Sequence, residues 1–318
     1  MILYKKPKKI IFFGGGKLLF FLINFLIKKK IEIIVFTENR HLKEVLGKIS
    51  FKKFLKKKKI NFFINSKNIE KKILKEITPS SIGISYRYSY IFKNLVIRKF
   101  KNRLFNIHSQ ALPNFRGKGG LSWNILSKSN ILGSSIHLIT EKIDKGSILM
   151  MLKSKQNLKN KNYDQIEKKV SLIDRKLIKK FLNNIFLNKK FNIHKVNNQN
   201  SFYWPSLKTK KNAWLNFNWE PEDASKFINA FSGKYGGAFS FYNKKVIRLK
   251  NAKSEINKRV FHPYQIGIVY RIKDKRIYVV CNKGAISCEY KLKSGSKIKI
   301  GSRLRTTTKK LEQSLINL

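Results

Sequence analysis

The sequence predicts an α/β protein, an open, mostly parallel, doubly wound sheet followed by a small β-barrel. Three observations predict it. Residues 9–38 read as strand, helix and strand, and a βαβ unit makes its two strands parallel with a right-handed crossover. Further short apolar runs continue to residue 108. After residue 236 the chain alternates apolar and polar side chains over short runs separated by turn residues, the pattern of a small barrel.

Taken in order, "KKIIFFGGG" is a buried strand that ends in a glycine turn, and "KLLFFLINFLIKKK" is a helix with apolar residues over most of its inner face. "IEIIVFTE" is a second buried strand, and "INFFIN", "SIGISY" and "LFNIH" continue the series. After "SIHLITEKIDKGSILMML" come a polar stretch and a helix, "NYDQIEKKVSLIDRKLIKKFLNNIFL", whose apolar residues recur at three and four. Residues 188–211 are polar and irregular and read as a linker. "EPEDASKFINAFSG" is a helix with acidic residues in its first turn, where the helix dipole favours them. The barrel strands are "GAFSFYN", "KVIRLKNAK", "QIGIVYRI", "RIYVVCN" and "AISCEYKL". The expected domains are therefore 1–187 and 212–318, joined by the linker. "FHPYQIG", ahead of the third barrel strand, reads as a ligand loop or as the turn that opens that strand.

A chain of 318 residues lets each of two domains bury its own core. The two cysteines, Cys281 and Cys288, have no CxxC or Cys/His ligand spacing, which implies a reducing compartment and no structural zinc. No metal motif such as H-E-x-x-H occurs, so no metal is expected. The apolar run near the start is broken by Lys17 and Asn24, lacks a small-residue cleavage site and closes on "KKK". It reads as a helix of the fold, and a cytoplasmic protein with no membrane span is expected. The net charge of +53 attracts polyanions through counterion release. Yet the basic residues are mostly lysine, spread along a chain equally rich in Ile, Asn and Phe, as compositional bias would make it; residues 52–59 are the densest strip.

The glycine turn after the first strand is no dinucleotide fingerprint. G-x-G-x-x-G would require glycine where Leu19 stands, and no acidic residue is placed for a ribose. The glycines read as a tight turn.

Open α/β sheets bind ligands beyond the carboxyl ends of their strands. "LFNIH" ends in Asn106 and His108, which share one face of a strand. A glycine-rich loop follows at once, and "HLITEKIDKGSIL" puts Asp144 in a turn at the end of another strand. Asn, His and Asp converging on one crevice suit acyl transfer to an amine: amide and imidazole N–H groups stabilise an oxyanion while a base accepts a proton. No serine or cysteine nucleophile is evident, so direct transfer is the simpler scheme. An Asn-x-His taken alone is equally what a structural histidine looks like.

The whole chain resembles the 10-formyltetrahydrofolate-dependent formyltransferases, the family that includes methionyl-tRNA formyltransferase and the sugar N-formyltransferases. The family's motif runs Asn-x-His, a Ser-Leu-Leu-Pro-like tetrapeptide, Arg-Gly and, much later, Asp-x-Gly with an apolar pair; here it reads "NIHSQALPNFRG" and "IDKGSIL". The resemblance implies a Rossmann-like catalytic domain and an OB-like barrel. It implies Asn106, His108 and Asp144 as the catalytic trio. It implies folate contacts at Gln110, Ala111, Leu112 and Pro113, with Tyr86 and Gly117, and acceptor contacts at Arg116 and Trp123. Glutamine at position 110 replaces the usual serine. The C-terminal "WLNFNWEPEDASKFINAFSGKYGGAFSF" resembles the family's segment ending in a "PYPGAF"-like turn, with Lys234 and Gly236 in place of its prolines.

The acceptor is less plainly written. The basic Gly-Arg-Gly insertion usual in the tRNA enzymes is absent after the second strand, and "RGKGGLSWNIL" replaces their "RGAAP"-like sequence, placing Trp123 to stack on a ring or to pack the helix that follows. A nucleotide-linked amino sugar is the favoured acceptor. Methionyl-tRNA is the alternative, with residues 52–59 as a phosphate strip. A catalytically inactive, basic nucleic-acid-binding protein is the alternative of another class.

Overall fold

The computed structural model describes residues 1–127, 129–195, 201–255, 261–292 and 297–316; part of the expected linker, 196–200, lies outside them. The chain forms two compact units. One takes Met1–Arg116, Leu132–Ser154 and Val170–Tyr203, and the other Gly117–Ile131, Lys155–Lys169 and Trp204–Leu318.

The first unit is built on seven strands: β1 (Lys9–Gly14), β2 (Glu32–Thr37), β3 (Asn61–Ile64), β4 (Ser81–Tyr86), β5 (Leu104–His108), β6 (Ile131–Leu138) and β7 (Ile148–Lys155). Their spatial order is β7-β6-β5-β4-β1-β2-β3. The pairs from β5 to β3 are parallel, while β6 runs antiparallel to β5. The main helices up to residue 186 are α1 (Lys17–Ile27), α2 (Phe51–Lys57), α3 (Ile69–Glu76), α4 (Asn94–Phe100), α5 (Gly120–Leu126) and α6 (Tyr163–Phe186).

Residues alternate between two cores because a strand has a period of two. Ile10 and Phe12 pack with Leu19 and Leu22 of α1 and with Leu177 and Phe181 of α6. Ile11 and Phe13 pack on the opposite face with Ile73 of α3 and with Val96 and Phe100 of α4. Both faces are covered, which is why these strands read as unbroken apolar runs. Strand order reverses between β1 and β4, the switch point where such sheets open a crevice. There Gly14 has φ +112°, and a Cβ on it would lie 1.9 Å from the Tyr86 carbonyl oxygen, so the glycine turn serves close packing of two strand ends.

The second unit holds α5, then α7 (Pro221–Ala230) and six antiparallel strands, β8 (Ala238–Tyr242), β9 (Lys245–Glu255), β10 (Val269–Lys273), β11 (Arg276–Cys281), β12 (Gly284–Leu292) and β13 (Leu304–Arg305). They run in the order β10-β11-β12-β9-β8-β13. The two edges meet: Ile268 bridges Arg303, the Val269 N–H donates to the Ser302 oxygen, and the Leu304 N–H donates to the Gly267 oxygen. This closes the sheet into the expected barrel around Leu215, Ile228, Leu249, Val279 and Ile286. "FHPYQIG" supplies the closing turn, where His262 and Gln265 cap one another across a single 3-10 turn. Cys281 and Cys288 are buried free thiols, and burial pushes Cys288 up to about 12. A C-terminal helix, α8 (Thr308–Ile316), follows the barrel. Among the described residues no helix is long and apolar enough to cross a membrane.

Candidate active site

β5 places Phe105 and Ile107 in the core against α6 and turns Asn106 and His108 to the other face. Antiparallel β6 then decides what stands opposite: Asn106 pairs with His137 and His108 with Ser135. The His137 Nδ1 lies 2.8 Å from the Leu138 carbonyl oxygen, a partner that can only accept. The proton is therefore on Nδ1, and Nε2 accepts from the Asn106 amide at 3.1 Å. The same logic applies to His108, whose Nε2–H donates to the Phe115 oxygen at 2.6 Å.

One ring nitrogen of each histidine faces a single carboxylate. Asp144 sits 3.7 Å from His108 Nδ1 through one oxygen and 3.4 Å from His137 Nε2 through the other. The loop that carries it is fixed by Gly146, where a Cβ would come within 1.8 Å of the Leu138 oxygen, so only glycine lets the chain return this close to β6. Asp144 itself takes φ +51°, a left-handed conformation that Asp tolerates better than most residues. One carboxylate thus stands before a ring nitrogen of each imidazole, beside the Asn106 amide. The side chains of His108 and Asp144 keep 12% and 11% exposure, enough for a reactant to reach them.

The tetrapeptide after His108 is stapled to β6, since the Leu112 N–H donates to the Ser135 hydroxyl, which donates to the Gln110 oxygen. Gln110 is 3% exposed, with its backbone N–H and C=O taken up by the His108 oxygen and the Ser135 hydroxyl, while Ala111 and Pro113 remain half-buried. Tyr86 is interior, 2% exposed, and its hydroxyl donates to Asp174. Arg116 is drawn to the following segment, where it donates to the Ser201 hydroxyl at 2.6 Å and bridges Tyr203. Gly117 and Trp123 fall in the second unit. There the Trp123 indole N–H donates to the Pro205 oxygen at 2.8 Å and the ring packs on Trp204. The structure thus gathers Asn106, His108 and Asp144, turns Tyr86 to Asp174 and Arg116 to Ser201, and assigns Gly117 and Trp123 to the second unit.

Sequence reasoning passed over His137 and Asp174. His137 could have been found as a polar residue inside the apolar run "SIHLI". Asp174 stands on the apolar stripe of α6, three and four residues before Leu177 and Ile178.

A second histidine cluster lies at the carboxyl end of β2. His41, 1% exposed, places Nδ1 2.8 Å from Glu44 and Nε2 3.0 Å from the Arg87 oxygen. Burial pushes the neighbouring Glu38 carboxyl up, but hydrogen bonds from Ser89 and Arg40 outweigh that and hold it below its ordinary value. Among the described residues no group of His, Cys, Asp and Glu could hold a metal ion.

Residues 8–182 match the formyl transferase family, and residues 208–305 match the formyl transferase C-terminal domain. A methionyl-tRNA formyltransferase of Finegoldia magna is 26% identical over 217 residues, 67% of this chain and 66% of that enzyme, so the match spans just under two thirds of the relative's length. In fold, the chain is similar to the N-formyltransferase of Helicobacter canadensis, solved with folinic acid and dTDP-3-aminofucose. That likeness has a TM-score of 0.69 at 18% identity, over 89% of this chain and 99% of the other. A sugar 3N-formyltransferase solved in the presence of dTDP and 5-N-formyl-tetrahydrofolate gives a TM-score of 0.68 at 20% identity, over 91% and 98% of the two chains. Both halves match in their order along the sequence, and the chain belongs to the formyl transferase family.

Proposed function

We propose that the protein moves the formyl group of 10-formyltetrahydrofolate onto the primary amine of a nucleotide-linked amino sugar. The observation that carries this reading is the carboxylate of Asp144 set before a ring nitrogen of each of two imidazoles, beside the amide of Asn106. A neutral amine attacks the formyl carbon and a C–N bond forms. The oxygen that gains charge accepts the second N–H of Asn106 and, with the His108 ring protonated at Nδ1 as well as at Nε2, its Nδ1–H. The proton shed by the attacking nitrogen passes to the Asp144 carboxylate. The tetrahedral intermediate then collapses, the bond to folate N10 breaks, and that nitrogen takes a proton from the same carboxylate. We assign this chemistry to residues 1–187, the connection to 188–211 and the barrel to 212–318. Folate is assigned to the surface beside Ala111 and Pro113.

For the acceptor, the segment after β2 supports a small molecule. It folds down as a helical turn, a short hairpin and α2, with Arg40 engaged by Glu38 and the Arg87 oxygen. The two sugar enzymes also align with this chain over almost their full length. A second reading, methionyl-tRNA as acceptor, is favoured by the sequence relatives and by the exposed lysines of α2 and the turn after it, Lys52, Lys53 and Lys56 to Lys59.

The test is formyl transfer from 10-formyltetrahydrofolate, run in parallel on methionyl initiator tRNA and a panel of nucleotide-linked amino sugars at two salt concentrations. Turnover on one sugar with tRNA inert supports the first reading. Turnover on tRNA that collapses with salt overturns it in favour of the second, and RNA binding with no turnover on any acceptor overturns both.

A further inference from the structure

The long helix α6 lays Val170, Leu177, Ile178 and Phe181 on the core, and among them sits a fully buried carboxylate, Asp174. Its Oδ2 accepts the Tyr86 hydroxyl at 2.9 Å and the Ser109 hydroxyl at 2.8 Å. Its Oδ1 has no hydrogen-bond partner, although the Ser134 hydroxyl lies close enough to favour the charged form. Burial pushes this carboxyl up, with the hydroxyls and the nearby Arg87 guanidinium acting against it.

A half-satisfied carboxylate in a core opposes folding, and an apolar or amide residue of the same size would suit stability better. Its partners show what it does instead. Tyr86 is the last residue of β4, Ser109 follows His108 directly, and Ser134 lies on β6 three residues before His137. Ser134 also donates to the His108 carbonyl oxygen at 3.4 Å, and the Gln110 N–H donates to that same oxygen at 2.7 Å. One anion thus ties together the ends of the strands that carry the candidate catalytic groups.

We propose that Asp174 is a positioning residue: by accepting the hydroxyls of Tyr86 and Ser109 it fixes the turn after β5 and so aims the His108 imidazole between the Phe115 oxygen and Asp144. Its kinetic test rests on the function proposed above; a spectroscopic test does not.

Asp174→Asn, Asp174→Glu, Ser109→Ala and Tyr86→Phe are made in the full chain, and kcat, KM for donor and acceptor and the melting temperature are measured for each. Asp174→Asn is expected to melt at or above the wild-type temperature while kcat falls about 10- to 100-fold, the scale of a displaced catalytic group, with both KM values near wild type. Asp174→Glu is expected to recover part of the loss. Ser109→Ala added to Asp174→Asn is expected to cost little more, because both break one path. Retention of kcat in Asp174→Asn, or a loss that follows a lowered melting temperature, overturns the proposal. Should Asp174→Asn fail to fold, Ser109→Ala and Tyr86→Phe decide, and wild-type kcat in both overturns it. Independently of turnover, the ring-nitrogen resonances of His108 in 15N-labelled protein are expected to move in Asp174→Asn; unmoved resonances overturn the proposal even if the wild type proves inactive toward every acceptor tried.

Discussion

Two histidine–carboxylate clusters stand at the carboxyl ends of the same sheet, and they differ in what is left unspent. His41 is closed: both ring nitrogens are within 3.0 Å of Glu44 or the Arg87 oxygen, and the ring is 1% exposed. His108 spends Nε2 on a carbonyl oxygen and turns Nδ1 to Asp144 at 3.7 Å, whereas His137 spends Nδ1 on a carbonyl oxygen and Nε2 on the Asn106 amide, with Asp144 3.4 Å away. Residue types are nearly the same in both. The lesson is that a histidine beside a carboxylate is available for chemistry only where hydrogen-bonding capacity remains and a reactant can reach it, whereas a saturated pair is a strut.

The comparison can be broken most directly at His108. His108→Ala is expected to lower kcat/KM by roughly 10²- to 10⁴-fold, the range of a general acid-base group, and less than a tenfold loss would remove His108 from the mechanism. Asp144→Asn sharpens it: turnover should fall about 100-fold with folate affinity close to wild type, because the carboxylate handles protons rather than binding the donor. Unchanged turnover would exclude that role. His41→Ala tests the other cluster, with an expected loss of about 2–3 kcal/mol in unfolding free energy from stranded buried partners and turnover held near wild type. A large drop in turnover at unchanged stability would make the two clusters alike and end the contrast.

The smallest effect concerns pH. Burial raises the folded-state value of Asp174 above its unfolded 3.8. Such a group lends stability that is fully present below the unfolded value and is lost as pH rises through the folded one. Asp174→Asn removes that loss, so the variant's advantage in denaturant melts should widen from pH 4 toward pH 7, by at most about 1.4 kcal/mol per pH unit across the window. A pH-independent difference would show that Asp174 titrates alike in both states.

Much of this was legible in the sequence because it is local. Unbroken apolar runs located β1 to β5, and Asn106, His108 and Asp144 were each read at the end of a strand. What escaped depends on distant partners. His137 acquires its meaning from the antiparallel register of β6 on β5, which no local pattern encodes. His41 is saturated by a carbonyl 46 residues away. Arg116 and Trp123, which the sequence pointed toward a substrate, are held by Ser201 and Pro205, inside or beside a stretch that reads only as linker. The hairpin of Val45–Leu46 with Ile49–Ser50 and the terminal helix α8 are too short and too polar to stand out by periodicity.

The patchwork make-up of the second unit bears on how this protein can be dissected or recombined. Ser122 donates to the Ala230 oxygen, Asn162 to Asn251, and the Lys234 ammonium to Glu167, so the barrel half depends on residues 117–131 and 155–169 from the middle of the chain. A cut after residue 203 therefore releases a fragment stripped of part of its own packing. Any chimera that trades barrels between relatives must carry those two inner stretches along with the C-terminal piece, three grafts where the order of the chain suggests one.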